Sequence, residues 1–286
     1  MKEIVVLSGK GGTGKTTMLA SFAALAENSV LCDCDVDAPN LHLLLESQTE
    51  EAHEFYGLQG AEINRERCNE CGACIIACRF GAIEDFRVNP LACEGCGLCE
   101  RVCPLDAISM RDRLAGQWFV SRTKYGPLVH ARLRAAQENS GKLVMAVRKR
   151  AREMAQEMNA RYILSDGPPG IGCPVISSLS GASMALIVTE PSLSGIHDLK
   201  RVLGLCRHFG VSPLVCINKY DLSEENSRHI ENHCGDVGVE VVGRIPFDPD
   251  VNEAVVQGRP VVEMFESAAS REIRALWEAI ATCPVP

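Results

Sequence analysis

Short apolar runs alternate with amphipathic stretches along this chain. Ile4-Val-Val-Leu7 is an apolar run that ends near glycine, the pattern of a strand buried on both faces. From Lys15 to about Glu27, Met18, Leu19, Phe22, Leu25 and Ala26 recur at helical spacing and predict a helix with one apolar stripe. Val30-Leu31 leads into Cys32-Asp33-Cys34-Asp35, a strand that delivers carboxylates at its end. Further strands are predicted at Tyr162–Ser165, Met184–Thr189, Leu214–Asn218 and Val239–Ile245, with helices over Asp198–Phe209 and Ser223–Cys234 between them. This alternation implies an α/β fold, a mostly parallel sheet covered by helices on both faces. A last helix, about Ser270–Thr282, spaces Ile273, Leu276, Trp277 and Ile280 along one side. Its charges are mixed, so it reads as packing on the core; membrane-surface helices are rich in Lys and Arg.

The segment from about Leu58 to Arg113 breaks the rhythm and repeats itself with a period of 25 residues. Cys68, Cys71, Gly72, Cys74, Cys78, Ala82 and Ile83 recur as Cys93, Cys96, Gly97, Cys99, Cys103, Ala107 and Ile108. Neither half carries enough apolar surface to fold alone, so metal ligation is expected to supply the missing stability. Residues 58–113 are therefore read as a small inserted domain, and 1–57 with 114–286 as the α/β domain.

The chain has 286 residues and a net charge of −8. Its N-terminal apolar run is too short for a signal peptide, and no apolar stretch approaches the roughly 18 residues of a membrane span. A cytoplasmic location is expected, where clustered cysteines are metal ligands more often than disulfides. Between Ser121 and Arg152, nine basic residues face only Glu138. That segment is either a solvated helical face or a dock for an acidic redox or assembly protein; without aromatic interleaving, nucleic acid is disfavoured.

Two motifs carry chemistry. Gly9-Lys10-Gly11-Gly12-Thr13-Gly14-Lys15-Thr16, continued by Thr17, fits G-x-x-x-x-G-K-[ST] after a strand and before a helix. Glycines let consecutive backbone N–H groups converge on phosphate oxygens. Lys15 is expected to reach the terminal phosphates of ATP, and the Thr16 hydroxyl to ligate Mg²⁺. The second motif is C-x2-C-x2-C-x3-C, present twice. It matches the bacterial ferredoxin run, in which three thiolates hold one cubane and the fourth crosses to the other. Cys68, Cys71, Cys74 and Cys103 would then hold one [4Fe–4S] cluster, and Cys78, Cys93, Cys96 and Cys99 the second. Arg79 stands where the second run has Pro104. Zinc is the competing metal, usually four cysteines per ion. Cys32, Cys34, Cys206 and Cys216 read as packed thiols.

Lys10 narrows the resemblance. Lys-Gly-Gly-Thr-Gly-Lys-Thr-Thr resembles the deviant Walker A motif of the MinD/ParA/Mrp/nitrogenase-iron-protein ATPases, here with an inserted ferredoxin domain. The resemblance implies a homodimer in the ATP state, with Lys10 crossing to the partner's nucleotide. It also implies that Asp33 lies near Mg²⁺, that Asp35 orients the attacking water, and that Asp166, in Ser165-Asp166-Gly-Pro-Pro-Gly170, is the Walker B-like carboxylate. Asn218 and Pro246 resemble adenine-contacting positions. Lys10, Lys15 and Asp35 would thus be the catalytic set. Cys173 follows Asp166 at an offset similar to a bridging-cluster ligand of the nitrogenase iron protein.

Three functions fit: a nucleotide-switched electron-transfer protein, a positioning or assembly ATPase with structural or redox-sensing clusters, and an iron–sulfur carrier. Each includes hydrolysis of ATP to ADP and phosphate, slow without a partner.

Overall fold

A computed structural model describes residues 1–134 and 140–284. The chain forms two compact units. The first comprises Met1–Ala52, Trp118–Arg132 and Ser140–Pro286; the second comprises His53–Gln117 and Leu133–Asn139.

In the first unit β1 (Lys2–Ser8), α1 (Lys15–Leu25), β2 (Ser29–Asp33) and the single turn α2 (Leu41–Leu44) follow in order. The chain leaves this unit in β3 (Gln48–Ile63). The second unit adds α3 (Ala73–Ala77), β4 (Ile83–Glu84), β5 (Arg87–Val88) and α4 (Leu98–Arg101). The chain returns in β6 (Ile108–Thr123), turns at Lys124–Tyr125 and continues as β7 (Gly126–Leu133). Then come α5 (Ser140–Glu157), β8 (Tyr162–Pro169), α6 (Cys173–Leu179), β9 (Met184–Thr189), α7 (Leu193–His208) and β10 (Ser212–Asn218). A 3-10 turn (Tyr220–Leu222) precedes α8 (Glu224–Asp236), β11 (Glu240–Ile245), α9 (Pro249–Val256), α10 (Val261–Met264) and α11 (Ala268–Thr282).

The strand order is β11-β10-β9-β1-β8-β2-β7-β6-β3. The pairs from β11 through β8 to β2 and on to β7 are parallel. Alternate residues of β1 serve opposite faces: Ile4 and Val6 pack with α1 and α11, Val5 and Leu7 with α6 and α7. Burial on both faces is why these strands read as unbroken apolar runs. Ile273, Leu276, Trp277 and Ile280 of α11 are all buried, and Trp277 meets Phe22 with ring centroids 5.5 Å apart. No described helix is long and apolar enough to cross a membrane.

Two sequence expectations change. The strands β3, β6 and β7 extend the sheet beyond β2, where no strand was predicted. Their sequences mix charged and apolar residues irregularly, as strands toward a sheet edge can. The basic stretch is also not one surface patch. Arg148, only 4% exposed, donates to Glu3 Oε1 at 2.5 Å and to the Ser177 and Ser180 carbonyls. Arg152 takes Glu3 Oε2 at 2.7 Å, Lys124 pairs with Glu263 and Arg122 with Glu50. Glu138 lies outside the described residues.

The second unit preserves the sequence repeat in its hydrogen bonds. Asn64 and Asn89 open the two halves; their carbonyls accept from Cys68 and Cys93 N–H, both at 3.1 Å. Gly72 and Gly97 precede α3 and α4 with φ of 81° and 72°, values that favour glycine. The buried apolar cluster here is small: Cys74, Ile83, Cys99 and Ile108.

Candidate functional site

The phosphate loop joins β1 to α1 at the end of the sheet where β2 and β8 also finish. Gly12 and Gly14 have φ of 79° and 93°, and among the described residues nothing lies within 4 Å of a Cβ built on Gly11 or Gly12. The loop thus presents bare backbone to open space, the surface a row of phosphate oxygens needs. Thr13 Oγ1 is buried without a hydrogen-bond partner among the described residues. Lys15 is 6% exposed at the start of α1. On the far side Gly9 abuts α7 so closely that a Cβ would fall 2.2 Å from Asp198 Cβ.

Parallel pairing puts Asp33 of β2 beside Asp166 of β8. Both are buried. Asp33 Oδ1 accepts the Asp35 N–H at 3.0 Å and Oδ2 the Leu41 N–H at 3.2 Å, so this carboxylate also fastens the loop that follows β2. Thr16 Oγ1 donates to Asp166 Oδ2 at 2.5 Å, while Asp166 Oδ1 has no hydrogen-bond partner among the described residues. Burial pushes the Asp166 carboxyl up to about 6, with Lys15 and the Thr16 hydrogen bond working against it. Burial and the Asp166 charge push Asp33 the same way. Two buried carboxyls raised together, one with an orphaned oxygen beside a threonine hydroxyl, form a donor set that suits a hard dication. Asp35 is half-buried; burial raises its carboxyl and Lys15 lowers it.

Lys10 turns onto its own chain. Its ammonium pairs with Glu190 and donates to Ser192 Oγ and Ser194 Oγ, both at 3.2 Å. Lys219 approaches the same Glu190 at 3.8 Å. Glu190, Ser192 and Ser194 escaped the sequence reading. The one available signal was their place directly after a strand, Met184–Thr189, that ends at the same rim as the phosphate loop.

Asn218 Nδ2 donates to the Thr13 carbonyl at 2.8 Å, and Asn218 Oδ1 accepts from Lys219 N–H at 3.1 Å. A Cβ on Gly14 would sit 2.6 Å from that Nδ2, so β10 locks onto the phosphate loop only because residue 14 is glycine. Pro246 follows β11, and the next residue, Phe247, donates its N–H to Asp221 Oδ1 at 2.7 Å. Thr17 is half-buried within α1; its carbonyl accepts from Ser21 Oγ at 3.0 Å.

In the second unit the eight repeat cysteines fall into two groups. Cys68, Cys71, Cys74 and Cys103 line one hollow; Cys78, Cys93, Cys96 and Cys99 line another. Cys78 Sγ accepts the Ala82 N–H and Cys103 Sγ the Ala107 N–H, each at 3.3 Å. Burial raises the Cys74 thiol, and Cys68 and Cys103 raise it further; Cys99 stands likewise toward Cys93 and Cys96. Among the described residues no three His, Cys, Asp or Glu side chains are arranged to hold a metal ion.

Of the other cysteines, Cys32 and Cys34 are fully buried with Sγ atoms 3.5 Å apart, and Cys206 and Cys216 are buried in the sheet–helix core. Cys173 is exposed at the first turn of α6.

The family model for the CobQ/CobB/MinD/ParA nucleotide binding domain matches residues 4–261. An uncharacterised protein of Methanocaldococcus jannaschii is 33% identical over 281 residues, covering 97% of this chain and 96% of that protein. Among solved structures, the MinD cell division protein of Aquifex aeolicus superposes with a TM-score of 0.60 at 22% identity, covering 100% of this chain and 99% of that one. The septum site-determining protein MinD of Pyrococcus horikoshii, complexed with Mg-ADP, gives 0.60 at 19% identity over 98% of this chain and 96% of its own.

Proposed function

Because the chain belongs to the CobQ/CobB/MinD/ParA nucleotide-binding family, and so is an ATPase, we propose that it is a dimer-forming nucleotide switch carrying two [4Fe–4S] clusters in its second unit. The observation that carries the cluster half is the sorting of the eight cysteines: each hollow takes three from one repeat and the fourth from the other. A cubane needs that grouping, because each thiolate binds a different iron. The sulfurs then surround a volume instead of converging on one point, as they would around a single zinc ion. N–H···S bonds from Ala82 and Ala107 fix the Cys78 and Cys103 sulfurs at both crossing positions. When bound, the clusters would supply one-electron redox capacity.

At the phosphate loop, Gly9 through Thr17 would hold the triphosphate, with Lys15 neutralising charge on the transferred group. Thr16 and Asp166 would hold Mg²⁺, whose part is to neutralise phosphate charge. Asp33 fixes the loop bearing Asp35, and the Asp35 carboxylate would orient the attacking water. Lys10 would leave Glu190 to complete the site of a second copy.

Nucleotide state and cluster state would be linked. A ligand that binds two conformations unequally shifts their balance, and the reciprocal effect follows. An anaerobic redox titration with and without a slowly hydrolysed ATP analogue tests this. A potential that moves with nucleotide supports nucleotide-gated electron transfer. Potentials indifferent to nucleotide favour the second reading, a positioning or assembly ATPase, for which the likeness to MinD cell division proteins speaks. Lys15→Ala should abolish hydrolysis and leave iron content unchanged; loss of iron would contradict two separate sites.

A further inference from the structure

The loop that carries Asp35 is supported, at one remove, by a pair of histidines. It runs from β2 into α2, and Asp33 ties it at two points by accepting Asp35 N–H and Leu41 N–H. Leu41, Leu44 and Leu45 anchor α2 in the apolar core. His42, next to Leu41, reaches instead to β7. Its ring lies over that of His130 with centroids 5.2 Å apart and planes within 8° of parallel. Phe119 of β6 stacks on His130 at 5.1 Å, and His130 Nε2 lies 2.9 Å from Ser121 Oγ, so the seat under His42 is itself fixed.

That seat suits a neutral ring. His42 Nδ1 is buried without a hydrogen-bond partner among the described residues. An imidazolium donates from both nitrogens, so protonation there would bury an N–H that has no acceptor. Among the described residues, the titratable and charged groups facing His42 are His130 and Arg132, both of β7, and Arg132 opposes a further positive charge. Burial and Arg132 accordingly hold His42 below the ordinary 6.5, while burial and then His42 lower His130 to about 4.

We propose that His42 is a positioning residue for ATP hydrolysis: seated as a neutral imidazole on His130, it holds α2 and thereby the loop that presents Asp35 to the attacking water. This rests on Asp35 orienting that water. A proton on His42 unseats the ring, α2 shifts, and Leu41 N–H leaves Asp33, which removes one of the loop's two ties. The phosphate loop takes no part in this chain of contacts, so nucleotide is still held while the water is poorly aimed. A small misplacement of a reacting group costs rate, and the loss belongs to kcat more than to KM. The direction follows from the preference for neutral His42: support is present above its lowered pKa and lost as pH falls through it.

The test is the pH profile of Mg-ATP hydrolysis by the full chain, comparing wild type with His42→Phe, His42→Ala and Asp35→Asn. Phenylalanine keeps a ring for His130 to stack on and takes no proton. At about pH 7.5, His42→Phe should keep kcat within about twofold, and His42→Ala should lose about threefold to tenfold in kcat with KM within about twofold. On going to about pH 5, the wild type should lose at least about fivefold more kcat than His42→Phe, since the other groups of the site titrate alike in both. Nuclear magnetic resonance of wild-type protein labelled at histidine Cε1 needs no variant to fold, and should place the His42 midpoint below 6.5. The proposal is overturned by parallel acid limbs in wild type and His42→Phe, by a His42 midpoint at or above 6.5, or by a His42→Ala effect confined to KM. Undiminished hydrolysis by Asp35→Asn would instead bring down the reading of Asp35 on which it rests.

Discussion

Asp166 shows how one carboxyl couples stability to ligand. Its pKa is pushed up to about 6 in the folded chain, against an ordinary 3.8. Between those values the native state keeps a proton that the unfolded state has released. Stability contributed by Asp166 is therefore fully present below about 4 and lost as pH rises through 6. Thermal unfolding from pH 4 to 7 should show the wild type falling relative to Asp166→Asn in the absence of Mg²⁺ and nucleotide. Saturating Mg-ADP should reverse that difference. Arg148 gives a second residue-scale test. Replacing it with methionine leaves Glu3, 6% exposed, with Arg152 alone; the expected cost in denaturant unfolding is about 3 kcal/mol. Adding Glu3→Gln should recover most of the loss.

At the scale of elements, what the sequence disclosed depended on how completely each element is buried. The strands β1, β8, β9 and β10 sit between two helical layers, and that burial writes itself as apolar runs. The phosphate loop was legible because its glycines are required by backbone geometry at positions 12 and 14. The strands β3, β6 and β7 were not legible, since long mixed runs such as Thr49-Glu-Glu-Ala-His-Glu carry no period that separates strand from loop. Glu190 was missed for a related reason: a charged residue just past a strand looks like ordinary loop, and only the fold brings it to Lys10. In the repeat, the cysteine spacing announced how the eight thiols group around two hollows, while the matching roles of Asn64 and Asn89 emerged only as hydrogen bonds. Replacing Cys71 with serine tests that element directly. Iron should fall by about half, with acid-labile sulfide falling in step; bound zinc with unchanged iron would refute the cluster assignment.

For the molecule as a whole, the two units differ in what holds them. The first has large apolar clusters on both faces of its sheet, whereas the apolar cluster described in the second centres on Cys74, Ile83, Cys99 and Ile108. Chelation of iron under anaerobic conditions should therefore loosen residues 64–108 in hydrogen exchange and leave α1 and β1 protected. Retained protection throughout would mean the small unit stands without metal. The grip of Glu190, Ser192 and Ser194 on Lys10 bears on assembly. Any dimer that borrows Lys10 across its interface must break this grip in both copies, so the penalty enters the association constant twice. A monomer that satisfies its own lysine thus makes pairing a threshold event, sensitive to how crowded the chain is and not merely to whether nucleotide is present. Glu190→Gln should lower the protein concentration at which analogue-bound dimers appear in sedimentation. Under this arrangement dilution alone would be enough to silence the switch.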